Sequence, residues 1–256
     1  MKIKHLTIVL LATFALHSCK KEAKKEVVKE ASTEKEAAPK KKKVKEQPFV
    51  YGVDISSYQG DEVNFINTHK DSIGFVICKA TQGDFLTDPK FASNWPKIKE
   101  DGFIRGTYHF YESNNDPTVQ ANYFANVISS IEATDLPPIV DFESGGIDKS
   151  QSIDSVSTGL ITFIHALQEK TNRKPMIYTD IPTADKYLND PVFADYALWI
   201  AVYNGKSTPD LPNTWANKGW KLWQRNATYK LDNFTNDSDV FNGDITRMKD
   251  FIKSYK

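Results

Sequence analysis

The chain has 256 residues, is 40% hydrophobic and balances 33 basic against 33 acidic residues, a length that suits one large domain or two small ones. The balance is uneven: residues 1–47 carry 13 Lys and 6 Glu, and all but one of the aromatics (Phe14) lie after residue 47, so a core can form only in an acidic part spanning 48–256. That acidity excludes nucleic acid as the main partner, and two cysteines, Cys19 and Cys78, exclude a disulfide-stapled scaffold.

In chain order, residues 1–18 read as an export signal. Lys2 and Lys4 precede an apolar run over 6–16 that is too short to span a bilayer. The run ends in Leu16-His17-Ser18-Cys19, which resembles a bacterial lipobox. The resemblance implies cleavage before Cys19, lipid on its sulfur and a membrane anchor. Lys20, rather than Asp, after the cysteine points to the outer membrane of the cell envelope. An ordinary signal with an incidental cysteine is the competing reading. Residues 20–47 hold 11 Lys, 6 Glu and no aromatic, too little apolar area to offset chain entropy. They read as a disordered tether, against which a Glu/Lys helical rod is disfavoured by Pro39 and the Lys40–Lys43 run.

From Pro48 onward short β-branched and aromatic runs alternate with amphipathic stretches. Strands are expected at 51–56, 74–81, 104–110, 137–143, 174–179, 197–203, 221–226 and near 239–241. Helices are expected at 61–70, 89–101, 117–132, 151–171, 181–188 and 245–254. Alternation of this kind predicts an α/β fold with a parallel sheet. A closed barrel fits better than a doubly wound sheet. No glycine-rich phosphate loop follows the first strand, and polar residues collect at the strands' C-terminal ends, where barrels carry their sites.

The densest such end is Ile139-Val140-Asp141-Phe142-Glu143. Strand alternation places Asp141 and Glu143 on one face and Phe142 on the other. Two neighbouring carboxyls push one pKa up and leave an acid beside an anion, the equipment for cleaving a glycosidic bond. Chelation of a divalent cation and a plain solvated strand end are the other readings. Asp54, ending the first strand in the same way, converges with them if the barrel closes.

Seven motifs in order resemble glycoside hydrolase family 25, the peptidoglycan-cleaving lysozymes: GVDISSYQG, FVICKATQG, GTYHFY, PPIVDFE, IYT, LWIAVY with LWQ, and NDSDVFNGD. The resemblance implies a TIM-like barrel of five β/α units followed by three further β-strands. It implies a muramidase that acts between N-acetylmuramic acid and N-acetylglucosamine. Glu143 matches the general acid, Asp141 the group that holds the 2-acetamido substituent, Asp54 an orienting carboxylate and Asp237 a further carboxylate. Whether the acetamido group or an activated water attacks is left open. Two departures stand out: Gln82 where the family often has Glu, and Asp239 where Asn is common.

Tyr108, Tyr178, Trp199 and Tyr203 are candidates for sugar contact or for core packing. Gln224 bonds either an N-acetyl group or backbone. Lys79 pairs with Asp54 or Glu143, or turns outward. The histidines outside the signal share no metal spacing, so neither metal nor cofactor is expected, and Cys78 reads as an inert buried thiol. The expected partners are peptidoglycan strands and a membrane held through Cys19, with the chain a monomer. A glycan-binding module of the same fold and a hexosaminidase acting on chitin-like chains are the competing functions.

Overall fold

The computed structural model describes residues 49–59, 73–231 and 234–256. The expected signal, Cys19, the tether and the helix at 61–70 lie outside these residues. The described strands are β1 (Val50–Ile55), β2 (Phe75–Gln82), β3 (Leu86–Thr87), β4 (Ile104–Phe110), β5 (Ile139–Asp141), β6 (Met176–Asp180), β7 (Ala197–Ala201), β8 (Leu222–Leu231) and β9 (Phe234–Phe241). The α-helices are α1 (Phe91–Glu100), α2 (Pro117–Val127), α3 (Ile153–Thr171), α4 (Ile181–Tyr187) and α5 (Ile245–Ser254).

Eight strands close a barrel in the order β1-β2-β4-β5-β6-β7-β8-β9, with β9 returning to β1 and β3 added as a short hairpin on β2. Neighbours from β1 to β8 are parallel. Only β9 runs against both its partners. This is the expected TIM-like barrel, with α1 to α4 lying between strands from β3 to β7 and α5 following β9.

Period-two alternation sorts the side chains into two cores. Phe75, Ile77, Ile139, Met176, Leu222 and Phe241 fill the barrel interior, and Met248 and Ile252 of α5 join that cluster. Val76, Cys78, Val140, Ile177, Leu198 and Ile200 point the other way, against the helices. Gly52 is required by this filling, since a Cβ there would lie 2.4 Å from the Phe75 ring. Between barrel and helices sits a buried ion pair. Arg105 Nε donates to Asp135 Oδ1 at 2.9 Å, and the guanidinium lies 3.8 Å from the Trp95 ring. Removing one partner of such a pair costs about 3–5 kcal/mol.

Several elements differ in length from expectation. β5 stops at Asp141, although Phe142 still donates its N–H to Tyr178 O at 2.9 Å and Glu143 stays extended (φ −138°, ψ 165°). α2 ends at Val127, because Ile128 leaves helical geometry at φ −93°, ψ 22°. β8 and β9 form a long hairpin where only their inner ends were expected. Its register shifts at Gln224/Asn226 and Asn226/Tyr229 interrupt the ladder, and its polar sequence hides the strand pattern.

Candidate active site

The same alternation that fills the barrel with apolar groups continues upward in polar ones. Asp54, Tyr108, Asp141, Tyr178, Trp199 and Gln224 each stand two or four residues beyond, or within, an inward-facing apolar series on their strand. β9 contributes from its earlier part, because it runs downward: Asp237 pairs with Asp54 across the antiparallel ladder. Glu143, one residue clear of Phe142, and Tyr203, just past β7, complete the mouth. These nine residues line one cavity of about 250 Å³. A second cavity of about 530 Å³ shares Glu143, Tyr178 and Tyr203 with it and extends towards α4. The two together give room for more than one sugar ring.

The carboxyls share the upper barrel, and burial raises every one of them. Asp54 is pushed up to about 7, first by burial and then by the charge of Asp237. Asp141 is held well above the usual carboxylate range by burial and by Glu143. Glu143 is raised by burial, then by Asp180 and Asp237. Asp237 is raised by burial as well. Lys79 opposes the trend for Asp141 and Glu143, while its own pKa is lowered by burial. Asp141 Oδ1 is buried and meets no donor among the described residues. An acceptor left free at the bottom of a polar cavity is available to an N–H of a bound molecule.

Three expectations about individual residues change. Gln224 is not free to read an N-acetyl group. Its Oε1 accepts the phenols of Tyr178 (2.9 Å) and Tyr203, and its Nε2 donates to Asp54 Oδ2 at 2.7 Å. Trp199 is only 2% exposed, with its ring edge-on to Tyr178 and its Nε1 donating to Asp239, so it forms the floor and offers no face for stacking. Tyr108 is half-buried, with its ring packed edge-on against Trp199. Tyr203, by contrast, is 57% exposed and presents an open ring at the rim.

Lys79 points neither to Asp54 nor outward. Its Nζ donates to Gln82 Oε1 at 2.8 Å, and Gln82 Nε2 donates to Glu112 Oε1 at 2.7 Å. Gln82 is therefore fitted between an ammonium and a carboxylate, and a Glu there would put two carboxylates in contact. His109 lies outside the cavity. It is fully buried among the helices, bonded to Thr81 and Gln120, stacked on Phe163 and pushed down to about 3 by burial, so it is neutral. Gln120 in turn bonds the backbone of Glu112, which links this layer to the Gln82 contact. Cys78 is buried and free, with its thiol raised by desolvation. Among the described residues no cluster of His, Cys, Asp and Glu has the arrangement of a metal site.

A sequence model of glycosyl hydrolases family 25 matches residues 53–234. The chain is 30% identical to an N,O-diacetylmuramidase of Arthroderma benhamiae over 80% of its own length and 87% of the relative's. It is 30% identical to a lysozyme of Streptomyces globisporus over 78% and 70% of the two chains. The crystal structure of a bacterial lysozyme from Streptomyces coelicolor superposes with a TM-score of 0.71 at 28% identity, covering 80% of this chain and 97% of that one. Barrel, carboxyl-lined mouth and sequence thus agree: the chain belongs to family 25 of the glycosyl hydrolases.

Proposed function

We propose that the chain is a lysozyme that hydrolyses the β-1,4 bond between N-acetylmuramic acid and N-acetylglucosamine in peptidoglycan. The observation that carries the reading is the meeting of Asp54, Asp141, Glu143 and Asp237 in one cavity at the mouth of a family 25 barrel. Glu143 is the proton donor. It is less deeply buried than Asp141 and shares the adjoining cavity, so it can reach a glycosidic oxygen that straddles the two. Burial, and then the charges of Asp180 and Asp237, raise its pKa above the ordinary glutamate value and favour the protonated form that an acid needs. Asp141 holds the 2-acetamido N–H on its unpartnered Oδ1, which aims the acetamido oxygen at the anomeric carbon. Asp54, fixed by Gln224, faces the positive charge that develops on the ring as the bond breaks. Tyr203 supplies the open aromatic face at the rim.

The experiment is hydrolysis of purified peptidoglycan, followed by turbidity and by mass analysis of the released ends. New reducing muramic acid ends are expected. Binding without new ends would instead support a glycan-binding module, and cleavage confined to chitin another hexosaminidase.

The N-terminal segment supports a further reading of where this activity is exerted. Cys19 carries lipid that anchors the protein to the outer membrane of the cell envelope, each buried CH₂ adding about 0.8 kcal/mol. Residues 20–47 are the tether, with an average reach of roughly 30 Å, and residues 48–256 are the catalytic barrel. A chain starting at Gln47 is expected to be soluble, monomeric by light scattering and active, and Cys19→Ala to remain unacylated. Retention of the shortened chain on membranes in high salt would overturn the anchor. No helix among the described residues is long and apolar enough to cross a membrane.

A further inference from the structure

Asp239 stands on β9 opposite Gly52 on one side and Gln224 on the other, with its side chain inside the barrel and no exposed surface. Trp199 Nε1 donates to its Oδ1 at 2.9 Å. Its Oδ2 is buried, and no N–H donor of the described residues reaches it. The side chain that interacts with Asp239 there is the carboxyl of Asp54, which already accepts Gln224 Nε2 on its own Oδ2. Two carboxylates are both acceptors, so this contact is a bond only if a proton lies in it.

The surroundings demand that proton. Asp237 on the same strand, Asp141 at the end of β5 and Glu143 just beyond it face the pair with like charge. The phenols of Tyr108, Tyr178 and Tyr203 face it too, and all three are held protonated by burial. Lys79 acts on Asp141 and Glu143 from the β2 side. Buried like charges in contact do not both ionise.

We propose that Asp239 is a positioning residue: it enters the folded barrel as a neutral carboxylic acid and donates its O–H to Asp54, so that Asp54 is clamped as a single anion between an acid and an amide. The proton resides on Asp239 rather than Asp54 because Asp239 has no contact with solvent, whereas Asp54 is 7% exposed. The direction of titration agrees. Asp239 is raised well above the carboxylate range, first by burial and then by Asp54. The inference rests on Asp54 being part of the reacting site.

An amide would supply the same donor without titrating. That difference defines the test. Asp239 has a folded pKa above its unfolded one, so folding takes up a proton. Stability from this position is full below the ordinary Asp range and is lost as pH rises towards the folded value. In the purified full-length protein, Asp239→Asn is therefore expected to flatten the fall of Tm with rising pH. It should also remove one protonated-carboxyl carbonyl band from the infrared difference spectrum at neutral pH. Turnover should stay within about threefold, because the donor to Asp54 is preserved. Asp239→Leu removes the donor. Its kcat should drop by about 10–100-fold with little change in KM, and the acid limb of its pH profile should move to higher pH as Asp54 becomes harder to ionise. If Asp239→Leu does not fold, the Asn variant's Tm slope and infrared band decide alone. An unchanged slope with the band retained in Asp239→Asn overturns the proposal, as does an Asn variant as inactive as a folded Leu variant. If Asp54 were not part of the site, the two spectroscopic and thermal results would hold while turnover stayed unmoved in every variant, which separates the two failures.

Discussion

Gln224 Nε2 donates to Asp54 Oδ2 at 2.7 Å, joining β8 to β1 across 170 positions of sequence while the same amide's oxygen accepts the hydroxyls of Tyr178 and Tyr203. One side chain thus aligns a carboxylate and two phenols. Gln224→Leu strands all three. Loss of a buried bond to a charged group predicts a fall in kcat of about 10–100-fold. Gln224→Glu is expected to be worse, since it sets an anion against Asp54. Steady-state kinetics on solubilised peptidoglycan check both, and a Gln224→Leu enzyme with native kcat would remove Asp54 from the mechanism.

Glu143→Gln keeps the shape of the acid and removes its proton. Turnover should fall by roughly 10²–10⁴-fold. Burial raises Glu143, so its ionised form weakens the fold as pH rises above the ordinary carboxylate range. The amide escapes that loss, and Tm near neutrality should hold or rise. A soluble, folded variant that retained near-native activity would sink the assignment.

Asp237→Asn addresses the pH profile. The Asp237 charge raises both Asp54 and Glu143 by disfavouring a second anion nearby. A neutral amide lowers both. If Asp54 must be ionised and Glu143 protonated, both limbs of the bell should move to lower pH together. A profile in which only one limb moves would assign Asp237 to one partner alone.

Lys79→Met tests the opposite sign. The ammonium lowers Asp141 and Glu143, so removing it should carry the alkaline limb to higher pH. The Gln82 and Glu112 side chains lose their cation at the same time. Gln82→Glu should be poorly tolerated here, because Glu112 already occupies the place of its charge. Thermal melts of that variant at neutral pH should show a lower Tm than native.

Much of the cavity was legible in the sequence because a barrel strand writes its inward face at every second residue. Asp54, Asp141, Tyr178 and Gln224 continue the apolar inward series by that rule alone. What alternation leaves out is depth. It places Trp199 inside but not beneath Tyr178, and it places Gln224 inside but not in contact with three partners from other strands. The β8–β9 hairpin was only partly legible for a different reason: Asn, Asp, Ser and Thr fill strand positions there whose order is set by cross-strand pairing and bulges, not by propensity. Asp239 could be marked as a departure from the family pattern. Its consequence needed the neighbouring carboxyl, which is distant in sequence.

The antiparallel seating of β9 between β8 and β1 gives the enzyme an order in time. Asp54 emerges from the ribosome among the first barrel residues, and Asp237 and Asp239 among the last. Until β9 is made, β1 and β8 are open edges and the charge pattern of the mouth is incomplete. A growing chain can pack β2 through β7 with their helices, yet it holds no assembled carboxyl set until almost its entire length is available. The closing strand therefore completes the carboxyl set, Asp237 and Asp239 joining Asp54 only once β9 is seated beside β1.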